Sequence, residues 1–302
     1  MKRLSRDPGT VIKQQLRREV NFGCPVRFHD GSGCGSPILT FHHFDPPWAG
    51  NYVHRPDGMV ALCPQHHAQA DGGLWSTAQL RAFKRSPFVD DAIKVQWPWQ
   101  PETLVMKVGP SLIVGSGSAM RLNGRPVMHF RPVEIEPLAI RTVQFDPEVR
   151  DEQGKPWLRI EESWFDLRLA GTTDLVFTPQ TKTFRATHGD TTFLEMRFNR
   201  MPIERFQEWL PTFMSNPEIA VSAAQSAMSV GAVDSEGQVS VVTFEDRFRS
   251  KEVEVMVMGD RMTFRSFVPG LEGQFDWHSW VVDSKRRAIL RMGKGPEFFS
   301  LG

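Results

Sequence analysis

Several features that would place this chain at once are missing. No run of apolar residues approaches the ~18 needed to cross a bilayer as a helix, so no membrane span or membrane partner is expected. Met1 to Thr10 is charged and lacks the apolar stretch of a secretory leader, which points to the cytoplasm. Net charge is scarce: 36 Lys and Arg against 35 Asp and Glu leave a formal +1, a balance that singles out no partner. No fixed-period repeat is present to mark a solenoid.

Cysteine is sparse as well. Three residues, Cys24, Cys34 and Cys63, make a poor disulfide framework; in a reducing compartment they serve as metal ligands or pack as small apolar side chains. Their placement is the strongest signal in the chain. All three cysteines and six of the nine histidines (His29, His42, His43, His54, His66, His67) fall between residues 24 and 67. Residues 1–90 also hold 11 basic against 7 acidic side chains, while the remainder holds 25 against 28. That bias is compatible with a polyanionic ligand near the N-terminal end.

A chain of 302 residues accommodates one or two domains of about 100–200 residues each. Residues 9–20 read as an amphipathic helix with Val11, Leu16 and Val20 on one face. A Gly-rich knuckle, Cys24 to Gly35, precedes a short strand, Ile38 to His42. Asp45-Pro46-Pro47 is a loop, because consecutive prolines remove backbone donors. Gly58 to Cys63 is a second strand, and His66 to Asp71 opens a helix that Gly72-Gly73 ends. Ser76-Thr77-Ala78-Gln79 is a capping-box pattern starting a helix from Thr77 to Lys84. Residues 91–103, with Pro98 and Pro101, read as a linker. Residues 104–302 show alternating strands, a hairpin pattern at Gly259-Asp260, and one helix from Ile203 to about Ala227 broken by Pro211 and Pro217. The expected fold class is α+β: a small metal-stabilised module followed by a β-rich domain that is a sandwich, barrel or solenoid.

Zinc binds four N or S ligands in a tetrahedron, commonly as two short-spaced pairs. Cys63-Pro64-Gln65-His66 has knuckle spacing. Cys24 and Cys34, with nine residues between them, supply the other pair across a loop-forming segment in which His29 competes. A second set is separable. His42 and His43 are adjacent on a strand and point to opposite sides. His67 and Asp71 are i and i+4 on one helical face. His42, His67 and Asp71 therefore make a three-ligand open site, the arrangement metal-assisted hydrolysis needs, with His43 free as general base. Arg55, Arg81 and Lys84 are candidate phosphate contacts, alongside Arg17, Arg18 and Arg85. Asp45 reads as a turn residue, His54 as a solvated histidine or phosphate contact, and Trp48 and Trp75 as packing residues. His129, His188 and His278 stand alone in the β-patterned region and read as structural.

The strings HHFDPPW (42–48), GMVALCPQHH (58–67) and AD (70–71) resemble the HNH endonuclease superfamily, the ββα-metal fold, over roughly residues 15–85. The resemblance implies that His42 and His67 bind a catalytic divalent metal (Mg²⁺, Mn²⁺, Ni²⁺ or Zn²⁺), often with Asp71, and that His43 activates the attacking water. It implies nucleic acid as partner, DNA ahead of RNA. Two departures stand out. The slot of the central Asn holds Gly58, preceded by Asp57, so only a backbone carbonyl remains to orient the base. The last zinc ligand is His66 where Cys is commoner.

The sequence thus supports a metal-dependent endonuclease in residues 1–90 with a recognition or regulatory domain in 104–302. The alternative is a zinc-stabilised nucleic-acid-binding module without cleavage activity. On this division a fragment ending near residue 100 keeps the metal site. The sequence sets no oligomeric state.

Overall fold

A computed structural model describes residues 5–97 continuously and, from 99 onward, the segments named below. Residues 214–232 and several short segments lie outside the described residues, as do the side chains of 106–132, 209–213 and 244–302. The first elements are α1 (Thr10–Glu19), β1 (Thr40–His43), the single turn α2 (Trp48–Asn51), a 3-10 turn at Pro56–Gly58, β2 (Met59–Leu62), α3 (Pro64–Asp71), α4 (Thr77–Arg85) and β3 (Ala92–Gln96). Next come β4 (Val105–Val108), β5 (Ser111–Leu122), β6 (Arg125–Ile135), β7 (Ile140–Arg150), β8 (Pro156–Glu161), β9 (Trp164–Arg168), β10 (Thr172–Thr178) and β11 (Thr183–His188). The chain continues through β12 (Thr191–Pro202), α5 (Ile203–Phe213), β13 (Gln238–Arg249), β14 (Val253–Met258), β15 (Arg261–Ser266), β16 (Leu271–Val282), β17 (Ala288–Arg291) and β18 (Pro296–Leu301). Helix and sheet are mixed as expected. The chain divides into two compact units: Met1–Val95 with Asp166–Thr191, and Gln96–Phe165 with Thr192–Gly302.

In the first unit, α1 buries a stripe at i, i+4, i+8: Ile12 partly, Leu16 and Val20 fully. Val11, expected on that face, is 80% exposed because it lies one residue off the stripe. The knuckle closes as a small hairpin. Cys34 N donates to Val26 O at 3.0 Å, Phe28 N to Ser32 O at 2.7 Å, and Cys24 N to Ser36 O at 2.8 Å. At its tip Asp30 Oδ1 accepts from Ser32 N and Ser32 Oγ, and Gly31 takes a positive φ of 84°. The nine-residue separation of Cys24 and Cys34 is therefore a tight loop, bridged at Arg27 and Gly33, that returns one thiol to the other.

β1 and β2 pair antiparallel, with Thr40 opposite Leu62 and His43 opposite Met59. All four residues of β2 are buried, as a short apolar run between Gly58 and Cys63 dictates. Pro64 at the first helical position and the Cys63 thiol accepting from His66 N start α3. The capping box at Ser76 and Gln79 starts α4 as expected. Leu16, Val20, Val26, Leu39, Phe44, Ala70 and Leu80 fill the core around β2.

The first unit also contains a hairpin from far along the chain. β10 and β11 pair antiparallel, and Asp174 on β10 accepts a bidentate pair from Arg17 Nε and a terminal Arg17 nitrogen, each at 2.9 Å. Arg18 Nε donates to Thr173 O at 2.7 Å. Arg17 is thus neither a phosphate contact nor on a solvated face. Burial lowers its pKa, and Asp174 opposes that shift. Removing one partner of a buried pair strands the other charge. Asp174→Ala is expected to destabilise the first unit by about 3–5 kcal/mol, read as an earlier denaturant midpoint. A fragment ending near residue 100 keeps both donor groups but loses Asp174, so it is expected to be less stable than the full chain.

Among the described residues of the expected linker 91–103, several are ordered by contacts. β3 lies within it, Asp91 O accepts from Leu169 N at 2.8 Å, and Trp97 is 3% exposed. In the second unit Trp97 packs at 5.7 Å from Phe198, and Trp99 stacks on Phe198 at 4.4 Å. Large aromatic rings bury too much area to be left on a free tether.

Strands of the second unit run in the order β12-β13-β4-β5-β6-β7-β8, antiparallel except for β13 beside β4. β16 pairs along β5, and β14 with β15 extends from β13. No sheet closes among the described residues, so these strands do not form the barrel that was one expectation. Helix α5 begins at Ile203 as expected and is described to Phe213. The remainder of that expected helix, and the Gly259-Asp260 turn, lie outside the described residues. No described helix is long and apolar enough to cross a membrane.

Candidate metal centres

Two donor groups meet on α3. Cys24, Cys34, Cys63 and His66 bring four ligand atoms within 4.8 Å of one another, a group able to bind a metal ion. The Cys24 and Cys63 sulfurs lie 3.2 and 3.3 Å from His66 Nδ1, and Cys34 Sγ lies 3.8 Å from Cys63 Sγ. His29, the competing ligand, is exposed on the hairpin and outside the group. Hydrogen bonds from Cys24 and Cys34 lower the pKa of the Cys63 thiol. Cys24, hydrogen-bonded to Cys34 and Cys63 and buried, is pushed up in turn. Trp75 covers His66 at 5.6 Å and packs on Phe83, the packing role expected of it.

The next residue along the helix faces the other way. His67 joins His42 and Asp71 as a second group within 4.8 Å. His42 Nδ1 is 3.1 Å from Asp71 Oδ1, and His67 Nε2 is 3.7 Å from Asp71 Oδ2. Both nitrogens are buried without a hydrogen-bond partner, while the Asp71 side chain is 47% exposed. Two desolvated imidazole nitrogens beside an accessible carboxylate fit a cation and leave coordination positions open. Thr40 settles the orientation of His67. Its hydroxyl donates to Leu62 O at 3.1 Å and therefore accepts from His67 Nδ1 at 2.8 Å, leaving Nε2 as the unprotonated atom toward Asp71.

Burial lowers the pKa of His42, reinforced by His67 and opposed by Asp71; burial likewise lowers His67. Desolvation, with His54 next, takes His43 down to about 4. All three are neutral at neutral pH, the form that ligation or proton abstraction requires.

His43 is buried and outside both groups, as a base rather than a ligand must be. Its bracing differs from expectation. Gly58 O accepts from Phe44 N and Asp45 N at 2.9 and 3.0 Å, so it fixes the end of β1 and not the His43 ring. A Cβ at Gly58 would meet Asp45 O at 1.5 Å, so an Asn cannot stand there with this backbone. His43 instead touches Trp48, read as a packing residue, at 5.0 Å, and His54, read as solvated or a phosphate contact, whose Nδ1 lies 3.0 Å from His43 Nε2. Arg6, which the sequence reading did not single out, reaches Asp71 Oδ1 at 3.4 Å. No spacing rule in the chain could have paired His54 with His43 across the Pro-Pro loop.

A pocket of about 770 Å³ beside His54 is lined by Arg55, Arg81, Lys84 and Arg85. Two of these cations are already engaged. Arg81 pairs with Asp45, which is therefore no metal ligand. Lys84 lies 2.9 Å from Glu19 and donates to the carbonyls of Met59 and Pro56 with its side chain 12% exposed, so it braces the fold. Arg55 and Arg85 are exposed and form no ion pair among the described residues. In the second unit the side chains of His129 and His278 lie outside the described residues. No protein-family model matches this chain, and no curated protein or solved structure matches it significantly.

Proposed function

We propose that the chain is a metal-dependent endonuclease of the HNH type, acting on the phosphodiester backbone of nucleic acid, DNA ahead of RNA. The observation that carries the reading is the open donor group His42, His67 and Asp71 beside a buried histidine, His43, that is not part of it. A module that only binds nucleic acid needs the cysteine group for stability and has no use for this second constellation. The Cys24, Cys34, Cys63, His66 set holds a structural zinc, because three thiolates and an imidazole match that ion.

When bound at the open group, a divalent metal supplies Lewis-acid stabilisation of charge on the phosphate and leaving oxygens. His42 and His67 hold it through neutral ring nitrogens, and Asp71 offsets its charge. His43 accepts the proton of the attacking water. Arg55 and Arg85 offer unpaired positive charge to neighbouring phosphates. The second unit serves recognition or regulation, since among its described residues no donor group of this kind occurs. The test is cleavage that appears only with a divalent metal and disappears when Asp71 and His67 are replaced together.

A further inference from the structure

We infer that His54 is a positioning residue that fixes which nitrogen of His43 accepts the proton; the inference rests on the hydrolytic reading above. It follows from a directed chain of hydrogen bonds. His54 Nε2 lies 3.0 Å from Ser5 O. A carbonyl only accepts, so His54 Nε2 carries the hydrogen. In the neutral ring His54 Nδ1 then bears the lone pair. His43 Nε2, 3.0 Å from that atom, must donate to it. His43 Nδ1 is left with its lone pair, buried and with no hydrogen-bond partner. The proton-accepting atom is therefore Nδ1. A ring held in the opposite tautomer would present N–H where the base needs a lone pair.

Trp48 completes the device. It stacks on His54 with centroids 4.9 Å apart and planes 24° apart, and flanks His43 at 5.0 Å. With Gly58 O occupied by backbone donors, His54 does the work that a backbone carbonyl was expected to do.

Two substitutions separate hydrogen bonding from stacking. His54→Phe keeps a ring against Trp48 and removes the acceptor. His54→Asn keeps an acceptor near the place of Nδ1 and removes the ring. In ¹⁵N-histidine-labelled full-length protein with Mg²⁺, at neutral pH, wild-type His43 is expected to show a protonated Nε2 and an unprotonated Nδ1. In His54→Phe the two nitrogens move toward averaged shifts, and kcat on plasmid DNA falls about 10–100-fold at unchanged KM, the cost of losing an orienting partner. His54→Asn restores both readouts. A wild-type His43 protonated on Nδ1, a His54→Phe protein with unchanged ring shifts and kcat, or an Asn variant no better than Phe would each overturn the inference. A chain that shows the stated tautomer and its loss in His54→Phe but cleaves nothing supports the relay and overturns the hydrolytic reading instead.

Discussion

His43→Ala is expected to lower nucleic-acid cleavage by about 10²–10⁴-fold, the usual cost of losing a general base. Metal content and melting behaviour should stay near those of the parent. The separation follows from geometry. His43 lies outside both donor groups, so removing it takes no ligand from either. Its ring packs against Trp48 and His54 at the edge of the core, and those rings still stack on each other without it. Loss should appear in kcat with KM little changed, because the side chain acts on water and not on the polymer. Unchanged cleavage by a purified, metal-loaded variant would remove His43 from the chemistry.

Cys63→Ser should act on the fold. Cys63 is both a donor in the cysteine group and the N-cap of α3. A serine hydroxyl keeps the capping interaction, so this substitution isolates the metal contribution. The first unit is rich in loops between residues 21 and 58, with a core gathered around one two-stranded sheet. In such modules a structural zinc is worth on the order of 10 kcal/mol of folding free energy. Elemental analysis should find about one tightly held zinc per chain. Cys63→Ser and chelator-treated parent should both lose it, along with cooperative melting of the first unit. A metal-free protein with an unchanged melting temperature would contradict this account.

Much of the site was legible because its residues lie close in sequence and on regular elements. The i, i+4 pair His67 and Asp71, the adjacent pair His42 and His43, and the Cys63–His66 knuckle are each fixed by local geometry, and the structure brings them together as the spacing implies. What stayed hidden depends on the path of the chain. Arg17 reads as a surface cation until Asp174, 157 residues away, reaches it. His54 reads as a solvated loop residue until the Pro-Pro segment folds it back onto His43 and Trp48. Lys84 reads as a phosphate contact until Glu19 and two carbonyls claim it. Charge and periodicity say that such side chains need partners, not which partners the fold supplies. The same limit applies near the expected linker: Trp97 and Trp99 pack on Phe198, about 100 residues away, a contact that no local pattern reveals.

The most direct test is nicking of supercoiled plasmid by full-length protein stripped of exchangeable metal and resupplied with Mg²⁺, Mn²⁺, Ni²⁺ or Zn²⁺ one at a time, beside the His67→Ala/Asp71→Ala double variant. The account predicts nicking by the parent with at least one of these ions, none in chelator, and none by the double variant with any ion. Failure of the parent to cut DNA or RNA with every ion, or equal cutting by the double variant, would contradict it.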